Sequence, residues 1–550
     1  MRRGAIFTLL AAISVVATVA VSYAQDVERE RPAEWEGIVE GGRFRDLFLP
    51  MQGEQLRSDV WGADCVLPRY VDNGLEDDTF SYWGGNIYKE GDQYHLFVCA
   101  WLEESPKGHM TWPRSVICHT VSDNPFRGFK NIGIIGFGHN PELYRAKSGE
   151  YIIAAHTNWK PYYYSSKKLD GVWQQQPFEA DDRGRGVIDG LSNLTFAPRE
   201  DGSQLMVCRG GGVWISRDGK SPYQQFTTES VYPKREGRFE DPVVWRDGVQ
   251  YHLIVNDWLG RIAYYLRSAD GVQWVEDCGE AYTPGIAFHS DGRVEDWYKF
   301  ERIKVYQDEH RRAIQANFAV CDTIKREDLG SDKHSSKNIT IPLKKSLLMT
   351  IVEPGITKRM RTISLLIRSE EGFDPQRDLD IKSLRFGLSA DVNYGKGCRV
   401  KSVAPQGGDL LVTFNTSGYT IPDSEFAPKL LGRNKLGEFV FGYARNPNVD
   451  FEPALLSCVK PRQQGGDVVI KVENFGLKSS TQSQLRLSVE GQKSVVKPID
   501  ALALYGSQEV VVEGVTLPSN GVCKVEILAA DGSKVISTEN FKEVVEKRKK

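Results

Sequence analysis

Apolar and polar residues along this chain alternate mostly with the two-residue period of strands, and long helical patterns are absent. Short aromatic and aliphatic runs are broken by Gly, Asp and Ser turns, which is the signature of hairpins. Four hairpins can be laid over one another. They run from Gly84-Gly85-Asn86-Ile87-Tyr88 to Tyr94-His95-Leu96-Phe97, from Asn140-Pro141-Glu142-Leu143-Tyr144 to Tyr151-Ile152-Ile153, from Asn193-Leu194-Thr195-Phe196 to Leu205-Met206-Val207, and from Asp241-Pro242-Val243-Val244-Trp245 to Tyr251-His252-Leu253-Ile254. A fifth leads from Glu301-Arg302-Ile303-Lys304-Val305-Tyr306 to Ala313-Ile314. A second unit recurs after the hairpins: Ser268-Ala269-Asp270-Gly271-Val272-Gln273-Trp274, looser forms at 165–173 and at Ser216-Arg217-Asp218-Gly219, and a turn at Ser122-Asp123-Asn124-Pro125. A repeat of about 50 residues implies propeller blades, and a hairpin whose turn feeds two more strands makes four strands per blade.

The expected fold class is all-β: a five-bladed β-propeller over 58–335, followed by a β-sandwich and a small immunoglobulin-like β-sandwich. The polar stretch 331–337 reads as a linker. The sandwich spans 341–460 and contains Leu410-Leu411-Val412-Thr413-Phe414, and the last unit spans 466–545 with alternation in Asp467-Val468-Val469-Ile470-Lys471-Val472-Glu473-Asn474. Residues 25–57 precede the propeller as an extension.

Composition narrows the setting. Arg2 and Arg3, an apolar run from Ala5 to Val21, and the small-residue site Ser22-Tyr23-Ala24 read as a secretory signal peptide cleaved after Ala24, hence a secreted or periplasmic protein; the rival reading is an uncleaved anchor. The formal charge of -3 disfavours a nucleic acid partner, and the basic run Lys547-Arg548-Lys549-Lys550 reads as a solvated tail. Nine cysteines include no Cys-x-x-Cys pair, so neither a zinc ribbon nor a thioredoxin motif is expected, and Cys99, Cys118 and Cys208 read as core residues.

In a propeller the inner strands begin around one end of the channel, so residues near positions 85, 140, 193, 241 and 301 become neighbours. Glu240 and Glu301 start adjacent blades and can supply the two carboxylates that glycoside hydrolysis needs, with Asp241 as an alternative partner. The competing reading ties Glu240 and Glu301 to Arg238 and Arg302 as ion pairs. His139 can contact a sugar hydroxyl or act as an acid near pH 6.5. Asn140 and Asn193 are further candidates to contact substrate. Trp83, Trp101, Trp112, Trp159 and Trp258 fall near strand ends, where an indole stacks on a sugar, whereas Trp173, Trp214, Trp245 and Trp274 read as blade core, as do His95 and His252. Asp257 can meet a substrate hydroxyl, and Arg209 stands before Gly210-Gly211-Gly212, which allow close ligand approach. If Arg209 and Arg302 face the channel, an acidic or sulfated sugar follows from bidentate pairing. No cofactor and no zinc site are expected; a calcium ion in the channel is left open, since no loop has calcium spacing.

Through Tyr82-Trp83-Gly84-Gly85, His139-Asn140-Pro141, Glu240-Asp241-Pro242 and Glu301-Arg302, the stretch from about 78 to 329 resembles the glycoside hydrolase family 43 and family 32 superfamily. Through Val472-Glu473-Asn474-Phe475-Gly476 the last domain resembles CARDB-type adhesion modules. The first resemblance implies a base Asp opening blade one, a second Asp opening blade three and an acid Glu two positions before a proline in blade four. Glu240 fits the acid, but Gly84 or Gly85 and Asn193 stand at the other two places. The second carboxylate then comes from Asp241, Glu301, Glu142 or one of Glu76, Asp77 and Asp78, or the site works differently. The implied function is an exported glycoside hydrolase acting on an oligo- or polysaccharide; the alternatives are a propeller that binds glycan without cutting it and a surface adhesion scaffold.

Overall fold

A computed structural model describes residues 26–57, 69–220 and 222–542. The expected signal peptide and the basic C-terminal run lie outside the described residues. Five sheets follow one another over the first two-thirds of the chain, as the repeat predicts. Their inner strands are Phe80–Glu90, His139–Arg145, Thr195–Pro198, Phe239–Arg246 and Lys299–Gln307, each paired antiparallel to the next strand in sequence. Blades one, two and four have four strands; blade three adds the two-residue strand Ala180–Asp181, parallel to Tyr223–Gln225.

Four of the five inner strands break their ladder at the same place. In blades one, two, four and five, two residues oppose one across a bulge: Gly84-Gly85, Asn140-Pro141, Asp241-Pro242 and Arg302-Ile303. The first bulge residue is left-handed every time, with φ of 66° at Gly84, 52° at Asn140, 54° at Asp241 and 51° at Arg302, and Asn193 takes 49° just before the blade-three strand. Gly adopts this conformation freely, and short Asn and Asp chains tolerate it. That requirement is the physical content of the Gly-Gly, Asn-Pro and Asp-Pro motifs. A bulge bends its strand and re-aims side chains, so it turns the residues at the start of each blade toward the channel mouth.

Blade five has three strands, Lys299–Gln307, Ala313–Cys321 and Ser336–Pro342. The expected linker at 331–337 therefore runs into a strand. Its last polar residue and the one that follows are buried with partners: Lys337 pairs with Glu76 at 2.7 Å, and Asn338 Nδ2 donates to Gly84 O at 2.8 Å. The fourth place beside this sheet is taken by chain from before blade one: Leu75 N donates to Asn338 O, and the Asn73 amide bonds the Thr340 backbone in both directions. The ring is thus closed by pairing its two ends.

Beyond blade five, seven antiparallel strands between Met349 and Tyr443 form one sheet around Leu365, Phe386, Val412, Phe414 and Leu430. Two four-stranded sheets then pack face to face around Val468, Ile470, Leu485, Val525 and Ile527. Neither unit is independent of the propeller. Phe44, Phe48, Trp245, Tyr265 and Phe318 share one apolar cluster with Phe426, Leu431, Phe439, Phe441 and Tyr443 of the seven-stranded sheet. Arg183, fully buried, bonds Ser457 and pairs with Glu473 at 2.9 Å, while Arg185 binds Glu539. Among the described residues all eight cysteines are free, and no helix is long and apolar enough to cross a membrane. A chain stopped after Ser335 loses the last blade strand and its closure. It is expected to aggregate or lack a cooperative melting transition by circular dichroism, where the full chain melts cooperatively.

Candidate functional site

A cavity of about 1040 Å³ opens where the inner strands begin. Of the residues expected there, Trp83, His139, Asn140, Asn193, Glu240, Asp241 and Glu301 line it. Trp83, His139, Glu240 and Glu301 each directly precede a left-handed bulge residue, so equivalent positions of four blades converge.

A hydrogen-bonded ring holds the bulges together. Asn140 Nδ2 donates to Asn193 Oδ1 at 2.8 Å, Asn193 Nδ2 donates to Asp241 Oδ1 at 2.8 Å, and Arg302 donates to the same oxygen at 3.3 Å. The Arg302 side chain then lies over Gly84: a Cβ on Gly84 would sit 3.6 Å from the Arg302 Cβ. The arginine occupies the space next to the position where the family resemblance implies a blade-one carboxylate.

Oxygens of Glu240, Asp241 and Glu301 lie within 4.8 Å of one another. The expected ion pairs are redistributed: Arg302 goes to Asp241, Glu301 binds Lys325, and Glu240 faces Arg209 at 3.5 Å. Arg238 is used through its backbone N–H, on Asp257. Burial, then the charges of Asp241 and Glu301, push the Glu240 carboxyl up to about 8. Burial works against the Lys325 ammonium, but Glu301, Glu240 and Asp241 raise it above the usual lysine value. One carboxyl thus stays protonated at neutral pH beside another that is tied to an ammonium, the division acid–base chemistry needs. These donors do not fit a calcium ion, which takes six to eight oxygens; three carboxylates converge, and a protein cation already faces each of them.

The walls are aromatic. Trp83, Trp112, Trp159 and Trp258 line the cavity, while Trp101 is buried behind Trp83 with ring centroids 6.5 Å apart. Trp159 is half exposed and left-handed (φ 64°), at the tip of the hairpin between Tyr151–Thr157 and Lys160–Ser166. A bulky residue with positive φ is strained, and such strain concentrates at ligand sites. Its ring stacks on His156, meets Trp112 edge-on at 5.4 Å and carries the Arg209 guanidinium at 5.2 Å. His139 enters as a neutral ring rather than an acid: burial, then His156 and Arg302, hold it well below 6.5, and its Nδ1 faces Ser115 Oγ at 3.0 Å.

Several candidates lie elsewhere. Asp257 is fully buried and accepts from Arg29 at 2.5 Å, so it meets no substrate. Arg302 is fully buried on Asp241, and Arg209 is engaged by Glu240 and Asp189, which removes the arginine argument for an acidic sugar. Glu142 is buried against Lys304, Glu76 pairs with Arg69 and Lys337, Asp77 caps Phe80 N and takes the Tyr82 hydroxyl, and Asp78 is exposed away from the cavity. Other lining residues carried no signal in the repeat: Lys325 and Arg326 in the last blade-five loop, His109 and Met110 in a 3-10 helix after the second strand of blade one, Tyr298 and Lys299 where blade five begins, and Asp26 in the extension.

No family model matches this sequence, and no curated protein matches it. Solved structures do. The catalytic domain of a GH62 α-L-arabinofuranosidase from Coprinopsis cinerea aligns over 50% of this chain and 94% of its own at 12% identity, TM-score 0.37. A putative glycosidase from Bacteroides thetaiotaomicron aligns over 55% and 98% at 11% identity, TM-score 0.37. A family 117 glycoside hydrolase from the marine bacterium Zobellia galactanivorans aligns over 54% and 89% at 11% identity, TM-score 0.36.

The raised Glu240 carboxyl has a thermodynamic consequence. The native state keeps a proton that the unfolded chain, with a glutamate near 4.5, releases, so stability falls as pH rises from about 4.5 to about 8. Glu240→Gln is expected to remove this slope, gaining up to a few kcal/mol over the parent at pH 8 and converging with it near pH 4.5. Chemical denaturation across that range checks it.

Proposed function

We propose that the protein is an exported glycoside hydrolase that cleaves an oligo- or polysaccharide at the propeller mouth, with Glu240 as general acid. The observation that carries the reading is a carboxyl held up to about 8 beside the Lys325-bound Glu301, in a cavity walled by four indoles. Export rests on the leader sequence.

In this reading Glu240 gives its proton to the glycosidic oxygen as the bond to the anomeric carbon breaks. Positive charge develops on the sugar ring, where the Asp241 and Glu301 carboxylates answer it. Retaining enzymes separate their carboxyl groups by about 5 Å and inverting ones by about 6.5 to 9.5 Å. With their closest oxygens within 4.8 Å, the carboxyl groups sit near enough for a retaining arrangement in which Glu301 is the nucleophile. Lys325 holds Glu301 Oε2, and Oε1 is buried without a hydrogen-bond partner, so a small turn of the carboxylate brings an uncommitted oxygen to the anomeric carbon. Glu240, now ionised, then takes a proton from the water that releases the sugar. Asn140 Oδ1, buried without a partner, is suited to accept from a sugar hydroxyl.

One feature favours a second reading, a propeller that binds glycan without cutting it. Gly84 supplies no carboxylate, and Arg302 lies over it. Reducing-sugar release from neutral, uronic and sulfated glycans separates the two. The hydrolase reading expects release that falls as pH rises through about 8, because the acid must be protonated. Glu240→Gln should lower kcat by about 100- to 10,000-fold, and Glu301→Gln should abolish turnover. Binding by the parent protein with no release from any glycan would establish the second reading.

A further inference from the structure

The cavity has a second polar centre, on its blade-four and blade-five side. Lys299 is 4% exposed and its ammonium reaches the cavity edge. It donates to Asp26 Oδ1 at 2.5 Å and to Trp258 O at 2.8 Å, 5.8 Å from the centre of the Trp258 ring. The neighbouring Tyr298 hydroxyl donates to Asp26 Oδ2. Burial and Asp26 push this phenol up to about 12, so it remains a donor. One ammonium and one hydroxyl thus grip the two oxygens of a single carboxylate.

That carboxylate belongs to neither blade. Asp26 lies in the extension, before its first 3-10 helix at Ala33–Gly37. The segment is tied down just beyond it, by Val27 N on Leu259 O and by Arg29 on Asp257 and Glu236. Asp26 can therefore leave the cup while those anchors stay in place. A nearly buried lysine needs a counter-charge, since an unpaired buried charge costs several kcal/mol. Any carboxylate that enters from the cavity meets that need as well as Asp26 does.

Resting on the carbohydrate reading above, we infer that Tyr298 and Lys299 form a carboxylate subsite for an acidic sugar, a uronate unit of the glycan, and that Asp26 fills it when no glycan is bound. Trp258 supplies the adjoining wall for the sugar ring. The acidic-sugar preference thus belongs to Lys299 and Tyr298 instead of Arg209 and Arg302. Asp26 acts as an internal competitor, and its removal should strengthen binding of acidic glycans alone.

The test is calorimetric titration of the full-length mature protein with trigalacturonic acid, an alginate trisaccharide and a hyaluronan hexasaccharide, each beside its carboxyl-reduced form. At least one acidic member should bind about tenfold or more tightly than its reduced form, the scale of a charge-assisted pair. Lys299→Met and Tyr298→Phe should erase that margin. Asp26→Asn should tighten the acidic member several-fold and leave the reduced one unchanged. Melting curves identify any variant that fails to fold, and the isosteric Asp26→Asn keeps the test independent of the lysine change. Equal binding of acidic and reduced forms, or weaker acidic binding in Asp26→Asn, overturns the subsite while the carbohydrate reading stands. Failure of every acidic and reduced glycan to bind contradicts that reading, and the subsite with it.

Discussion

The site depends on one backbone constraint: the residue at the mouth of each blade is left-handed. In four blades this conformation opens a bulge, and the bulge turns the preceding side chain into the channel. Asn140, Asn193 and Asp241 tolerate positive φ and also carry side chains that bond from blade to blade. Arg302 is the exception, since a long side chain gains nothing from that conformation and costs about 1 kcal/mol there. Its guanidinium completes the ring on Asp241 and covers Gly84. Backbone geometry and site electrostatics are thereby one feature, because the residues that set the bulges also carry the charges around Glu240.

That coupling explains why the acids gather on one side. Blades one to three contribute Trp83, His139, Asn140 and Asn193, all uncharged around a ring of this kind, and the carboxylates come from blades four and five. Three acids crowded together cannot all ionise cheaply in a buried setting. Lys325, Arg302 and Arg209 each meet one of them, and burial, followed by the charges of Asp241 and Glu301, raises the Glu240 carboxyl. The far domains matter to this arrangement through packing: the seven-stranded sheet shares the apolar cluster that supports blades four and five.

Much of this was legible in the sequence because repetition exposes it. Hairpins that can be overlaid mark the blades, and Gly-Gly, Asn-Pro and Asp-Pro mark positions where the chain needs a special backbone conformation. That placed Glu240, Asp241 and Glu301 together. What the repeat cannot show is what breaks it. Lys325 sits in the loop between the second and third strands of blade five, where the loops of different blades share no sequence pattern, and Asp26 reaches the cavity from outside the propeller. The polar start of Ser336–Pro342 reads as linker because pairing, not composition, buries Lys337 and Asn338. Arg302 and Asp257 are a similar case: charged residues near a channel suggest ligands, yet each is buried and paired with another charged residue of the fold.

The proposed chemistry turns on where the glycosidic oxygen lies. A crystal structure of Glu240→Gln soaked with a glycan that the protein binds shows that position directly. Hydrolysis by Glu240 and Glu301 predicts a glycosidic oxygen within hydrogen-bond distance of the carboxamide that replaces the Glu240 carboxyl, with the anomeric carbon facing Glu301 Oε1. A glycan bound with every glycosidic bond away from these two side chains would contradict it.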